Sequence, residues 1–338
     1  MKAILELTNT NLFEKNGNLS RKTTPGGGSV KKSILILISI TLGSVFMIFI
    51  TPDLSRQSLE DQYAQAPSQF INIKGLRVHF RDTGERTAPV VVLLHGFGSS
   101  LQTWDEWSSV LDKNYRVVRL DLPGFGLTGA TPEHDYSDRA DVERLADFLN
   151  AIGVSRSTVV GHSMGGRIAW NFASTYPSHV DRLVLIAPDG FPAPGQTLGE
   201  RPYDVGWLGD LIQFFMPKFL VKKSLEPAFF DASNVKDELI DRYYDLLRAP
   251  LVRQSILQRM RQTVNSDPID RLKNITSPVL LLWGEVDRMI PCVNSQDYSR
   301  ALAHSRTVIL PEAGHLLQEE NPQIALKVML DFLAQKSL

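Results

Sequence analysis

From residue 70 onward the apolar positions of this chain alternate between two rhythms. Leu76 to Phe80 alternates with a period of two, as a half-buried strand does. Val90-Val91-Val92-Leu93-Leu94 is continuously apolar, the pattern of a strand covered on both faces. Val117–Leu120, Ser157–Val160, Leu183–Ile186, Val279–Trp283 and Thr307–Leu310 repeat that signal. Between them the period lengthens. Ala140, Val142, Leu145, Phe148 and Leu149 line one face of a predicted helix over 138–152, and Ile168, Ala169, Phe172, Ala173 and Tyr176 line another. Further helices are predicted over 293–302 and 322–336. Strands alternating with helices predict an α/β fold, a mostly parallel sheet with helices on both faces. Ligands of such sheets bind beyond the carboxyl ends of the strands.

The alternation is interrupted once. Residues 191–267 lack strand signals and are apolar in patches, with Trp207, Leu208, Leu211, Ile212, Phe214, Phe215, Met216, Phe219 and Leu220 crowded together. This stretch is predicted to form a helical cap over the sheet, with 69–190 and 268–338 as the core. Most of its apolar residues are expected to pack the cap itself, and some to line a pocket or touch lipid.

The first 68 residues are different material. Ser33 to Ile50 carries no charge. As a helix it would span roughly 27 Å, near the thickness of a bilayer core. Lys and Arg outnumber acids before it, and Asp53, Glu60 and Asp61 follow it. The expected arrangement is a disordered cytoplasmic tail (1–32), a single-pass membrane anchor (33–50), a linker (51–68) and an extracytoplasmic domain. A cleaved leader, with Ala64-Gln65-Ala66 as its processing site, is the alternative, and it implies secretion.

Composition narrows the function. The 338 residues are 43% hydrophobic and 22% charged, with a formal net charge of −1, an ordinary globular balance without the basic excess of nucleic-acid binders. One cysteine, Cys292, rules out an internal disulfide and is read as a packed small residue.

The candidate chemistry begins at Gly161-His162-Ser163-Met164-Gly165-Gly166. Alone, such a glycine–serine–glycine pattern arises by chance in roughly one chain of this length in ten. Here it lies between a predicted strand and a predicted helix, where a tight turn would expose the serine hydroxyl at a helix N-terminus. A serine needs a base. His315, in Glu312-Ala313-Gly314-His315, follows the last predicted strand; His162 and His95 are expected to be structural. A base histidine needs a carboxylate. Asp287, after Val279–Trp283, is the leading candidate, with Glu285 and Asp189 as competitors. The oxyanion of an acyl-transfer intermediate needs two N–H donors. Met164 and Phe97, the latter in His95-Gly96-Phe97-Gly98, are expected to supply them, with Gly96 or Gly98 as alternatives to Phe97. Asp121-Leu122-Pro123-Gly124-Phe125-Gly126 reads as a tight structural turn.

These motifs, in this order and with Trp104 after the first, resemble the α/β-hydrolase fold family over residues 70–338. The resemblance implies an eight-stranded-type sheet and a triad in the order Ser163, Asp287, His315. It also implies an oxyanion hole from the Phe97 and Met164 amides, and no metal or organic cofactor. A serine in the elbow separates this chain from the epoxide hydrolase and haloalkane dehalogenase branches, which use aspartate there. The Ser-Met-Gly-Gly elbow is similar to lipases and esterases and to meta-cleavage product hydrolases, though the latter usually carry Asn where this chain has His162. The layout with an apolar segment ahead of the hydrolase domain is similar to membrane-anchored monoacylglycerol lipases.

The leading expectation is therefore a serine esterase or lipase acting on apolar small-molecule esters, held to a membrane by its N-terminal helix. The alternatives are carbon–carbon bond hydrolysis of dienoates and a non-catalytic receptor or scaffold.

Overall fold

The computed structural model describes residues 32, 33, 36, 37, 50–192, 197–201 and 205–335. Eight strands form one sheet: β1 (Ser68–Ile73), β2 (Leu76–Thr83), β3 (Val90–Leu94), β4 (Arg116–Leu120), β5 (Ser157–His162), β6 (Val180–Ile186), β7 (Val279–Gly284) and β8 (Ser305–Leu310). Their order is β1-β2-β4-β3-β5-β6-β7-β8. β2 pairs antiparallel with β1 and β4, and every later pairing is parallel.

The continuous apolar runs explain the middle of the sheet, because alternate residues feed cores on opposite faces. Val92, Leu94, Val159, Leu185, Leu281 and Trp283 point into one core with helices α3 (Asp138–Ala151), α4 (Met164–Thr175) and α8 (Asn294–Ala301). Val91, Leu93, Val160, Val184, Ile186 and Leu282 point into the other with α2 (Asp105–Leu111) and α9 (Pro322–Leu333). Strand order reverses at β3, so the carboxyl ends of β3 and β5 open onto a topological switch point.

Between β6 and β7 the chain leaves the sheet. The described part of this insertion contains α5 (Lys218–Leu225), α6 (Asp237–Leu247) and α7 (Val252–Gln262) and no strand. It has its own small core of Val221, Leu225, Phe229, Ile240 and Tyr243, and Leu316 joins that core from the loop after β8.

The N-terminal expectations need correction. Among the described residues no helix is long and apolar enough to cross a membrane. That overturns the single-pass anchor, the extracytoplasmic localisation and the membrane partner inferred from 33–50. Most of 33–50 and nearly all of the tail lie outside the described residues. The stretch read as a linker is packed onto the body. It contains α1 (Arg56–Tyr63), capped by Ser55 Oγ accepting from Ser58 N–H at 3.1 Å. Thr51 N–H bonds Phe214 O at 2.8 Å, Leu54 N–H bonds Arg248 O at 2.8 Å, and Arg253 pairs with Asp53 at 2.5 Å.

Candidate active site

β5 runs out at His162 and α4 begins at Met164, so Ser163 alone makes the turn. Its φ of 54° and ψ of −118° lie in the region that side-chain-bearing residues avoid, a strain on the order of 1–3 kcal/mol. Its neighbours hold it there. Ser163 N–H donates to Ile186 O at 2.9 Å, and Ser163 O accepts from Arg167 N–H and Asp189 N–H, each at 3.0 Å. The flanking glycines are steric necessities: a Cβ at Gly161 would overlap the Gly165 carbonyl, and one at Gly165 the carbonyl of Leu94. The helix thus starts directly against the ends of β3 and β5. Among the described residues the Ser163 hydroxyl forms no hydrogen bond, to His315 or to any other group.

Asp287 follows β7 and His315 follows β8, both beyond carboxyl ends of strands. Both are buried, and His315 Nδ1 lies 2.7 Å from Asp287 Oδ2. The other carboxylate oxygen accepts from Met289 N–H and Ile290 N–H, each at 2.8 Å, which leaves Oδ2 aimed at the imidazole. An Nδ1–H donated to this carboxylate leaves Nε2 with a lone pair. The competitors point elsewhere. Asp189 Oδ2 lies 3.6 Å from Arg167, and Glu285 is exposed.

His162 is buried beside this pair. Its ring centroid is 4.5 Å from that of His315, and its Nε2–H donates to the His315 carbonyl at 2.9 Å. Burial, and then the neighbouring His315, hold its pKa well below the usual histidine value. A neutral His162 therefore fixes the backbone that carries the second imidazole.

The loop after β3 completes the site. A Cβ on Gly96 would lie 2.7 Å from His162 Nδ1 and 3.3 Å from Ser163 Cβ, so this loop abuts the elbow. His95 shapes it: Nδ1–H donates to Gly96 O at 2.7 Å and Nε2 accepts from Leu122 N–H at 2.9 Å. Burial lowers the pKa of His95, in keeping with one ring nitrogen donating and the other accepting. Among the described residues neither Phe97 N–H nor Met164 N–H donates to a backbone carbonyl. Met164 is the first residue of α4, where an N–H has no partner within the helix.

Behind the loop sits a buried carboxylate that no motif singled out as a hub. Asp121 accepts from His79 Nδ1–H at 2.7 Å, Leu127 N–H at 2.7 Å and Leu101 N–H at 2.8 Å. Burial alone would raise its pKa; the His79 imidazole, then His95 and the Leu101 N–H, outweigh that and lower it. The 121–126 turn is thus tied to the loop holding Phe97. Sequence reasoning also missed the cap's share. Arg242 and Tyr243 reach the core here, Arg242 pairing with Glu319 at 2.6 Å and Tyr243 Oη donating to Ser99 Oγ at 3.0 Å. Neither stands in a local pattern that would have marked it.

Comparison with known proteins agrees with this architecture. A family model described as the alpha/beta hydrolase fold matches residues 89–322. Human epoxide hydrolase 4 is 30% identical over 290 residues, covering 79% of each chain. The 2-hydroxy-6-oxo-6-phenylhexa-2,4-dienoate hydrolase of Burkholderia cepacia is 29% identical over 276 residues, 78% of this chain and 94% of that one. Among solved structures, a membrane phospholipase A described as a bacterial virulence factor matches with a TM-score of 0.70 at 25% identity, over 90% of this chain and 97% of that one. Strand order, the helical insertion after β6 and the family match together place this chain in the alpha/beta hydrolase fold family of hydrolases.

Proposed function

We propose that this hydrolase cleaves carboxylic esters with apolar acyl or alkyl groups through an acyl-enzyme on Ser163. The observation that carries the reading is the buried 2.7 Å Asp287–His315 pair, packed against His162, the residue before a serine held in a strained elbow. In the first half-reaction Ser163 Oγ attacks the ester carbonyl carbon while His315 Nε2 takes its proton. The Phe97 and Met164 amides donate to the oxyanion. The tetrahedral adduct collapses, the carbon–oxygen bond to the alcohol breaks, and His315 returns the proton to the departing alkoxide. Water, deprotonated by His315, then attacks the acyl-enzyme and releases the acid with Ser163 restored. Asp287 stabilises the imidazolium formed in each half.

Two other readings have relatives behind them. Epoxide opening through a covalent enzyme adduct requires an adduct that water can cleave. A carboxylate nucleophile yields an ester, which water cleaves; Ser163 would yield an ether, which it does not. The serine therefore weighs against epoxide hydrolysis, despite the similarity to epoxide hydrolase 4. Carbon–carbon hydrolysis of a dienoate is the second reading, supported by Ser163-Met164 and by the Burkholderia relative, and weakened by His162. The 191–267 insertion is proposed to act as the cap that meets the substrate's apolar part.

Labelling with a fluorophosphonate, paired with turnover of p-nitrophenyl esters of increasing chain length, tests the proposal. Wild type is expected to label and to turn over, and Ser163→Ala to do neither. An unlabelled wild type, or equal turnover by Ser163→Ala, overturns it. Turnover of a dienoate without turnover of esters favours the second reading instead.

A further inference from the structure

The loop that carries His315 is fastened to the cap as well as to the sheet. Ala228, in the cap, accepts through its carbonyl from both His315 N–H at 2.7 Å and Leu316 N–H at 3.2 Å. Glu320 makes a second fastening. Its Oε2 accepts from Gly314 N–H at 2.7 Å, and its Oε1 accepts from Phe230 N–H at 2.6 Å and Asp231 N–H at 3.3 Å. Gly314 immediately precedes His315, so this carboxylate ties the backbone next to the imidazole to the cap segment 228–231. The approach is close: a Cβ on Gly314 would sit 2.6 Å from Ala228 O and 2.7 Å from Phe230 N. Leu316, one residue on, is packed in the cap's own core. From the sheet side this backbone is held by His162 Nε2–H donating to the His315 carbonyl at 2.9 Å and by Val286 N–H donating to the Ala313 carbonyl at 3.0 Å.

We infer that Glu320 is a positioning residue that couples seating of the cap to placement of the base. The inference rests on the proposed role of His315 as base. With the cap seated, Gly314, His315 and Leu316 have their N–H groups engaged by cap-linked acceptors, and the imidazole is delivered to Asp287 and the elbow. With the cap displaced along 228–231, the His315 and Leu316 N–H groups lose the Ala228 carbonyl, and Glu320, still on Gly314 N–H, loses its hold on Phe230 and Asp231. Proton acceptance from Ser163 is then available only in the capped state, which withholds the activated serine from water when the cap is open.

Glutamine is the informative replacement. A carboxylate accepts on both sides, whereas an amide presents one oxygen and one NH2, so Glu320→Gln can keep Gly314 or the cap but not both. Displacing a reacting group by about 1 Å costs on the order of a hundredfold in rate. Glu320→Gln is therefore expected to lose about tenfold to a hundredfold in kcat per folded molecule. KM should stay within about threefold, and fluorophosphonate labelling of Ser163 should slow by the same factor as kcat. Gly314→Ala, which pushes the two backbones apart while leaving Glu320 intact, should do the same, and it decides the matter if Glu320→Gln does not fold. Either folded variant keeping kcat within twofold of wild type overturns the coupling, as does a loss that vanishes once activity is normalised to folded protein. Failure of the wild type to label at Ser163 sinks the ester reading instead. In that case amide exchange over 313–316 judges the fastening: faster in Glu320→Gln if it holds, unchanged if it does not.

Discussion

Replacing Asp287 by Asn alters one atom of the carboxylate, and the surroundings dictate how the amide must sit. Oδ1 of Asp287 accepts from two buried N–H groups, those of Met289 and Ile290, at 2.8 Å each. If the asparagine NH2 occupied that side, two N–H donors would face a third donor, at about 1–3 kcal/mol for each unsatisfied group. The amide oxygen therefore stays there, favoured by about 2–6 kcal/mol, and the NH2 faces His315. His315 Nδ1 must then accept, which moves the proton to Nε2, the nitrogen proposed to take the Ser163 proton. The base is present, in place, and in the wrong tautomer. A lesion of this type lowers kcat by about 10⁴-fold, or roughly 5.5 kcal/mol of transition-state stabilisation. Stability should fall by only about 1.5–3 kcal/mol, the worth of one charge-assisted hydrogen bond, because the other two are retained. The assay is ester turnover alongside thermal unfolding, with Asp189→Asn as control. The control is expected within about threefold of wild type, because Asp189 faces Arg167, which also holds Asp138 at 2.7 Å. If Asp287→Asn retained more than a tenth of wild-type kcat, or if Asp189→Asn were the crippled variant, the assignment of the acid would be refuted.

Two further expectations concern stability. His95 and His162 are both held below the ordinary histidine pKa by burial, so the unfolded chain binds more protons than the folded one at pH values under about 6.5. Stability should therefore decline as pH falls through that value, by up to about 1.4 kcal/mol per pH unit for each histidine. His162→Gln should shallow the decline of Tm between pH 6.5 and 5, and parallel slopes would contradict the reading. Arg259 and Asp141 form a buried pair, 2.5 Å apart, and Arg259 also donates to Pro123 O at 2.9 Å. Arg259→Met should cost about 3–5 kcal/mol by stranding the Asp141 carboxylate, whose pKa burial already raises. The deficit measured by urea denaturation should shrink as acid protonates that carboxylate, and a deficit independent of pH would refute the mechanism.

Much of the sheet was legible because its strands are buried on both faces. A run such as Val279–Trp283 has no amphipathic alternative, and such runs bounded by turns left little choice of topology. The edge was harder. β1, Ser68-Gln69-Phe70-Ile71-Asn72-Ile73, is half-exposed and paired on one side only, so its pattern blurs. α1 escaped notice because Leu59 is its sole buried residue. The candidate residues were read from motifs at strand ends, and only the glycines beside Ser163 are dictated there by backbone geometry. What was not legible lies in pairings across the chain. Ala228 and Phe230 act through main-chain atoms, which no side chain announces. Glu320 is an ordinary glutamate until its two N–H partners, from distant segments, are seen around it. The anchor expected at 33–50 shows the converse, a strong hydropathy signal that the described helices do not support.

The contacts joining the 228–231 segment to the histidine loop use carbonyl and amide groups supplied by any sequence able to trace the same path. The exposed side chains there, Phe230 and Asp231, are thus free to be exchanged for others of different size and polarity without loosening the grip on His315. A library that randomises Phe230 and Asp231 while sparing proline and keeping Phe229, which packs the cap's core, could re-tune what the enzyme accepts and leave its chemical step intact. Whole-cap grafts that shift this path by even one residue should go silent, however well their new pockets fit.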